Sequence, residues 1–116
     1  MNFDPGPYAE GIRRANEEEA SAINERAARA EIEARRLAAA ISEGDREVRA
    51  VYLFGSLAVG GPKRLGFDID LAIEGGDLYR ALDAVDGSSF KVDLVDLRLL
   101  PESFAERIRE SGLRLS

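Results

Sequence analysis

The 116-residue sequence contains no cysteine, no histidine and no tryptophan. Without cysteine, the chain can form neither disulfide bonds nor a thiolate metal site. Without histidine, Ser-His-Asp catalysis, Cys-His catalysis and histidine-ligated zinc are excluded as well. Any catalysis by this chain must therefore use carboxylates, metal ions, lysine, arginine and hydroxyl groups.

Positive charge is also scarce, and long apolar runs are absent. The 16 basic residues are outnumbered by 22 acidic ones, which gives a net charge of -6. Because such a surface repels a phosphate backbone, general binding to nucleic acid is not expected. No apolar stretch reaches the ~20 residues that a membrane helix needs, and no signal-peptide pattern opens the chain. We expect a cytoplasmic protein with one compact domain.

A long helix is predicted near the beginning of the chain. Residues 1–7 contain two prolines and a glycine and predict an irregular lead-in, after which Ala, Glu and Arg dominate from Tyr8 to Glu43. A continuous helix of this length would extend roughly 50 Å, beyond a domain whose expected radius of gyration is ~13 Å. Apolar residues recur along it at spacings of three and four, at Ala20, Ile23, Ala27, Ala30, Ala34, Leu37 and Ile41.

The two halves of this helix are expected to differ. The large side chains of Leu37 and Ile41 predict that the C-terminal half packs on the sheet of the same chain. The mostly alanine stripe of the N-terminal half predicts a surface for a homo-oligomer or a partner, or alternatively a solvated helix stabilised by Glu/Arg pairs. We therefore distinguish an N-terminal helical extension, residues 1–31, from a compact domain, residues 32–116.

The rest of the chain alternates between predicted strands and helices. Strands rich in β-branched and aromatic residues are predicted at 48–54, 67–73 and 90–97, with a helical turn and a loop at 57–66. Helices are predicted to start near Asp77 and Pro101. Their inward-facing side chains are predicted to be Leu78, Leu82, Val85, Phe104 and Ile108. The pattern indicates an α/β (α+β) fold with a small sheet and flanking helices.

Three aspartates are predicted to lie on one face of this sheet. Because side chains alternate along a strand, Asp68 and Asp70 share one face of the second strand, and Asp93 lies on the polar face of the third. The three carboxylates converge if the two strands are neighbours and both bury their apolar faces. Such close like charges raise one another's pKa unless a cation binds. Oxygen ligands of this kind suit Mg²⁺ or Mn²⁺.

Plainer interpretations of these aspartates remain open. Asp68 and Asp70 could be solvated residues on an exposed face, and Asp93 could form an ion pair with Lys91 or with an arginine. Asp96 is a competing third ligand, but its position in the strand places it on the face opposite Asp93. We therefore prefer Asp93 as the third carboxylate.

A phosphate-binding turn is predicted beside the aspartates. Gly55 and Ser56 follow the first strand, where glycine permits close approach of the backbone and exposed N–H groups suit phosphate oxygens. Lys63 and Arg64, in the following loop, add positive charge. In isolation, a Gly-Ser pair after a strand is usually an ordinary turn. Beside a metal site, it predicts phosphoryl or nucleotidyl transfer, in which two ions stabilise the attacking and leaving oxygens.

The segments LFGS at 53–56, DIDLAI at 68–73 and KVDLV at 91–95 resemble the minimal nucleotidyltransferases of the DNA polymerase β superfamily, often paired with HEPN partners in toxin-antitoxin modules. The resemblance covers about residue 32 to the C-terminus. It implies a polymerase β-like nucleotidyltransferase fold with a small mixed sheet, and Mg²⁺ bound by Asp68, Asp70 and Asp93. It also implies that Gly55 and Ser56 hold the triphosphate of a nucleotide, most often ATP. In toxin-antitoxin members, AMP is transferred to a tyrosine of the helical HEPN toxin.

An alternative hypothesis is a catalytically weak or inactive protein of the same fold that binds a partner through its long helix. Leu57 and Val59 stand where the family commonly has arginines, and Phe67 stands where it commonly has serine. The first helix also extends about 20 residues beyond the typical short one. These departures motivate the alternative of a binding or regulatory role.

Overall fold

The computed structural model describes residues 6–116. Their three α-helices are α1, Gly6–Gly44, α2, Leu78–Val85, and α3, Glu102–Ser111, with a 3-10 helix at Leu97–Leu99. Their strands are β1, Ala50–Phe54, β2, Ile69–Glu74, β3, Val92–Asp96, and β4, Leu113–Arg114. The predicted irregular lead-in falls mainly on residues 1–5, outside the described residues, and α1 begins within it at Gly6.

The four strands form one mixed sheet in the order β3-β2-β1-β4. Strand β1 is antiparallel to both β2 and β4, whereas β2 and β3 are parallel neighbours connected through α2. The predicted α/β class with a small mixed sheet is therefore confirmed. The sequence analysis missed β4, because two exposed residues are too short to show a periodic pattern.

The main core lies between one face of the sheet and helices α1 and α2. The larger apolar residues of this region contribute to it, as predicted from their alternation: Phe67 precedes β2, and Ile69, Leu71 and Ile73 lie within it. Leu37 and Ile41 of α1 are buried against this face, which confirms the expected role of the C-terminal half of α1. Burial of each such side chain contributes about 1.5–3 kcal/mol.

Helix α3 covers part of the opposite face of the sheet. Its Ala105 and Ile108 are buried there with Tyr52, Ala72 and Leu97. The prediction for Phe104 is only partly correct, because its ring is 39% exposed while it makes an edge-to-face contact with Phe54. A cleft opens at the Asp70 end of β2.

The predicted inner face of α2 was wrong at one position. Leu82 is 40% exposed, whereas Ala81 and Val85 are buried. Leu78, Ala81 and Val85 pack against the core and define the inner stripe of α2. The centre of this stripe lies closer to Ala81 than the sequence predicted. Since successive residues of a helix are 100° apart, Leu82 stands at the edge of that stripe.

The N-terminal part of α1 projects from the domain. Every residue from 9 to 21 is exposed, and Ile23 is the first buried residue after this segment. The radius of gyration is 18.5 Å, compared with ~13 Å for a compact domain of this size. Self-association through this segment and the domain boundary at residues 31 and 32 stay predictions. No helix in the described part of the chain is long and apolar enough to cross a membrane.

Candidate functional site

The aspartates meet where β1 ends and β2 and β3 begin. Asp70 of β2 is the direct cross-strand partner of both Phe54 of β1 and Asp93 of β3. Asp68 lies two residues before Asp70 and therefore on the same side of the strand. Parallel pairing of β2 with β3 thus brings the predicted carboxylates to one face of the sheet.

A cleft of about 610 Å³ opens over these carboxylates. Its lining includes six of the seven residues that the sequence analysis selected, and the loop before β2 forms its outer wall. The lining residues are Ser56, Lys63, Arg64, Gly66, Phe67, Asp68, Asp70 and Asp93. The structure therefore places the predicted phosphate-binding side chains and the predicted metal ligands in a single cleft.

The seventh selected residue, Gly55, contacts the site through its backbone. It has a φ of +75°, and a Cβ atom at this position would overlap the Asp70 carboxylate. Its carbonyl accepts hydrogen bonds from the N–H groups of Ala58 (3.1 Å) and Val59 (3.0 Å), which forms the predicted single helical turn. Only glycine combines this conformation with so close an approach.

The N–H groups at the start of this turn are available to a ligand. Among residues 6–116, those of Ser56 and Leu57 donate to no protein acceptor. The Ser56 side chain is exposed at the same place. Free N–H groups at the start of a helical turn attract anionic oxygens, so the turn can bind phosphate.

The electrostatic environment of Asp70 is unfavourable for its charge. Two causes raise the pKa of the Asp70 carboxyl above its usual value. The larger is partial burial, and the smaller is repulsion from the carboxylates of Asp93 and Asp68. Lys91 forms an ion pair with Asp68 at 3.7 Å, and not with Asp93 as one plainer interpretation had it. This pair is weak because the lysine side chain is 75% exposed.

Asp96, the competing third ligand, is engaged elsewhere. Its carboxylate is buried and accepts hydrogen bonds from the Arg98 backbone N–H (3.0 Å) and from the guanidinium Nε (3.1 Å) and Nη2 (2.8 Å). The Arg98 side chain, with the backbone hydrogen bond, lowers the pKa of Asp96. Asp96 therefore closes the 3-10 turn and is not part of the cleft.

The donor chemistry of the cleft fits a hard divalent cation. Carboxylate oxygens are the ligands that Mg²⁺ and Mn²⁺ prefer, and a cation would relieve the repulsion that raises the pKa of Asp70. In the part of the chain that the structure describes, however, no three acidic side chains stand close enough together to enclose one ion.

Three residues near the cleft escaped the sequence analysis as site residues. Gly66 and Phe67 line the cleft, although Phe67 was assigned to the core, where its ring is indeed buried. The guanidinium of Arg26, on α1, lies 4.5 Å from the Phe90 ring centroid and 6.0 Å from that of Phe67. No local sequence pattern connects position 26 with positions 67 and 90.

Comparisons with known proteins identify the fold. No family model and no curated protein matches the chain. A solved toxin-antitoxin structure with AMP-PNP is 26% identical over 67% of this chain and 68% of that one, with a TM-score of 0.54. A mutant MntA-HepT toxin-antitoxin complex is 22% identical over 72% of each chain, with a TM-score of 0.57.

A third solved structure contains a tri-AMPylated HEPN toxin from Shewanella oneidensis in complex with its MNT antitoxin. It is 21% identical over 75% of this chain and 71% of that one, with a TM-score of 0.54. All three structures are toxin-antitoxin complexes. The chain therefore has the fold of the minimal nucleotidyltransferases.

Proposed function

We propose that this chain is a metal-dependent nucleotidyltransferase that transfers AMP from ATP to a hydroxyl group of a protein partner. The observation that carries this proposal is the pairing of Asp70 with Asp93 on neighbouring parallel strands, in one cleft with Asp68, Ser56 and Lys63. The AMP-PNP and the AMPylated toxin in similar structures support the choice of adenine nucleotide.

In this proposal, Asp68, Asp70 and Asp93 hold two Mg²⁺ ions, for which Mn²⁺ can substitute. When bound, the ions would stabilise the negative charge that develops on the attacking and leaving oxygens. The carboxylates already repel one another, so binding of a cation offsets an electrostatic cost of the folded chain.

The other residues of the cleft bind and orient the substrates. The Gly55-Ser56 turn directs N–H groups and a hydroxyl toward the β- and γ-phosphates, and Lys63 and Arg64 neutralise part of their charge. Asp93 is exposed on the edge strand β3, whereas Asp70 lies on an inner strand. This position makes Asp93 the carboxylate that an acceptor hydroxyl reaches. Asp93 can receive the proton of that hydroxyl while the hydroxyl oxygen forms a bond to the α-phosphorus and pyrophosphate leaves.

The partner in this proposal is a HEPN-type helical protein, with this chain as the antitoxin of a cytoplasmic toxin-antitoxin pair. The similar structures are complexes of this kind. The exposed segment of α1, residues 9–21, is available for that partner or for a second copy of the chain. We keep residues 1–31 as a proposed extension and residues 32–116 as the nucleotidyltransferase domain.

Transfer of label from ATP tests the catalytic proposal. The purified chain, Mg²⁺ and α-labelled ATP are incubated with a lysate of the source cells, and labelled proteins are separated by electrophoresis. We expect one labelled acceptor band with the wild-type chain and none with the Asp68→Asn, Asp70→Asn double variant. Asp83→Asn, an exposed substitution on α2, is the matched control and should label normally. Undiminished labelling by the double variant would refute the assignment.

A second candidate function is non-catalytic binding of a partner. It is favoured by the Lys91–Asp68 ion pair and by the absence, within residues 6–116, of three acidic groups close enough to enclose an ion. Isothermal titration with Mg-ATP separates the two functions. A chain that binds no nucleotide at millimolar concentration would support the binding role, whereas saturable binding would support the nucleotidyltransferase.

A further inference from the structure

Helix α1 meets the loop that forms the outer wall of the aspartate cleft. A second, shallower cleft of about 420 Å³ lies between them, lined by Ala22, Glu25, Arg26, Arg29, Leu65 and Gly66. Gly66 lines both clefts, and it is followed directly by Phe67, another residue of the aspartate cleft. The two clefts are therefore adjacent across one short stretch of backbone.

The position of Arg26 in this second cleft is fixed by aromatic side chains. Its guanidinium stacks over Phe90 at 4.5 Å and also faces Phe67 at 6.0 Å. The negative face of an aromatic ring attracts a guanidinium cation at this distance. Stacking on ring faces leaves the N–H groups of a guanidinium edge free for an anion, so Arg26 is held in place without being neutralised.

Four cations lie where the two clefts adjoin. Arg26 and Arg29 come from α1, where Glu25 is the acidic residue that lines the second cleft, and Lys63 and Arg64 come from the loop, where they line the first cleft together with the three aspartates. Within residues 6–116, none of these four cations forms an ion pair. The second cleft thus has two arginines against one glutamate, whereas the whole chain has a net charge of -6.

We infer that α1 supplies a second wall of the nucleotide site, in which Arg26 and Arg29 bind the terminal phosphates of a nucleoside triphosphate. This inference rests on the proposed function, because it takes the aspartate cleft as the site of the nucleotide. In this arrangement the β- and γ-phosphates lie between the Gly55-Ser56 turn on one side and Lys63 and Arg64 on the other, and the guanidinium groups of the helix meet the γ-phosphate where the cleft reaches Gly66. The long first helix then has a role in the site itself, and not only in binding a partner.

Nucleotides with different numbers of phosphate groups test this assignment. Isothermal titration of the full-length chain with Mg-AMP-PNP and with AMP compares a ligand that has the terminal phosphates with one that lacks them. In the Arg26→Gln, Arg29→Gln double variant, we expect the Kd for AMP-PNP to rise about tenfold and the Kd for AMP to change less than twofold. The Arg35→Gln variant is the control, because Arg35 lies on the same helix but pairs with Glu31.

Single variants separate a direct contact from a change in folding. Arg29 is exposed and takes no part in the aromatic stack, so Arg29→Gln should leave the melting temperature unchanged and still weaken AMP-PNP binding severalfold. Arg26→Lys, which retains the charge, should recover part of the affinity that Arg26→Gln loses.

The outcomes distinguish this inference from the proposed function. If the wild-type chain binds AMP-PNP and the double variant binds it within twofold of wild type, the inference is wrong and the proposed function stands. Equal weakening of AMP and AMP-PNP would also overturn the inference, because it would show that the arginines only shape the cleft. If the wild-type chain binds neither ligand, the proposed function fails and the inference fails with it.

Discussion

Aspartates cluster at both ends of the central sheet, but protein donors surround them at only one end. At the end where β2 and β3 finish, Asp45 accepts hydrogen bonds from the backbone N–H groups of Asp77 (2.8 Å) and Glu47 (3.0 Å). Asp96 is held there by Arg98. These donors lower the pKa values of both buried carboxyls, so at this end the negative charge stabilises the fold.

At the other end, Asp70 has no such donors among the described residues. Burial and the neighbouring Asp93 and Asp68 raise its pKa, so its ionised form is less stable in the folded chain than in water. The carboxyl groups at the two ends of the sheet thus differ in the direction of their pKa shift. An aspartate with donors at hydrogen-bonding distance therefore stabilises the fold in its charged form, whereas the aspartates that mainly face one another destabilise one another's charge.

A glycine at each end shows the same contrast. Gly55 and Gly76 both have positive φ angles, +75° and +80°, and a Cβ atom on either would crowd an aspartate carboxylate. Gly76 lies against Asp45, whose carboxylate binds the turn through the N–H of Asp77. Gly55 lies against Asp70, where the close approach brings the backbone of the phosphate-binding turn next to a proposed metal ligand.

Substitution of Asp70 should give the largest effect. The Asp70→Asn variant should lose AMP transfer by on the order of 10³-fold or more, because one proposed metal ligand is gone. In metal-free buffer, its free energy of unfolding should be unchanged or higher, because repulsion with Asp93 and Asp68 is removed. Labelled-ATP assays and urea denaturation measure the two effects.

The matched variant at the opposite end is Asp96→Asn, which should show the reverse pattern. Its transfer activity should persist at temperatures where it is folded, and its stability should fall. If Asp70→Asn were as destabilising as Asp96→Asn, the distinction between the two ends would be wrong.

Alanine at Gly55 should give the next largest effect. The methyl group would push the Asp70 carboxylate aside, so we expect transfer to fall about tenfold to a hundredfold. The variant should also lose about 1–2 kcal/mol of stability, because an L-residue is forced to a positive φ. The control is Gly87→Ala, since Gly87 has a φ of +84° but open space around it. Equal loss of transfer in both variants would show that only backbone strain matters.

Much of this site could be predicted, because the alternation of side chains between the two faces of a strand is a local property of the sequence. The alternation in residues 67–73 placed Ile69 and Leu71 in the core and Asp68 and Asp70 on the other face, and the structure has this arrangement. The same alternation placed Asp93 and Asp96 on opposite faces of the third strand. The alternation of side chains does not show which strands are neighbours, so the pairing of β2 with β3 was an assumption.

The errors lie where a long-range contact decides the outcome. Strand β4 forms only because the chain returns to β1 after α3, where the Leu115 N–H donates to the Val51 carbonyl at 2.7 Å. Leu82 is exposed because the orientation of α2 is set by α1 and the sheet and not by its own pattern. The stacking of Arg26 on Phe90 likewise joins residues that are distant in sequence.

Loss of the Asp96 carboxylate should have a smaller effect that depends on pH. We expect Asp96→Asn to lower the free energy of unfolding by about 1–3 kcal/mol at pH 7, because a buried charge-assisted hydrogen-bond network is weakened. The folded pKa of Asp96 is depressed below an unfolded value of about 3.9. Its stabilising contribution is therefore complete above the unfolded pKa and is lost as pH falls through the folded pKa.

Urea denaturation at several pH values between 7 and 3 checks this dependence. The stability difference between wild type and Asp96→Asn should stay constant down to about pH 5 and shrink below about pH 4. Asp83→Asn, exposed on α2, should show no comparable difference at any pH. A difference that grew as the pH fell would contradict the depressed pKa of Asp96.

The smallest effect is expected from the single ion pair at the site end. Lys91 and Asp68 are 3.7 Å apart and the lysine is largely exposed, so Lys91→Gln should change the free energy of unfolding by no more than about 0.5 kcal/mol. Arg98→Gln should cost about 1–3 kcal/mol, because it removes side-chain donors from the buried Asp96. Urea denaturation at low and high salt measures both changes. A loss above 1 kcal/mol for Lys91→Gln would mean that a protein cation already balances the site carboxylates, which would remove the electrostatic reason for a bound metal ion.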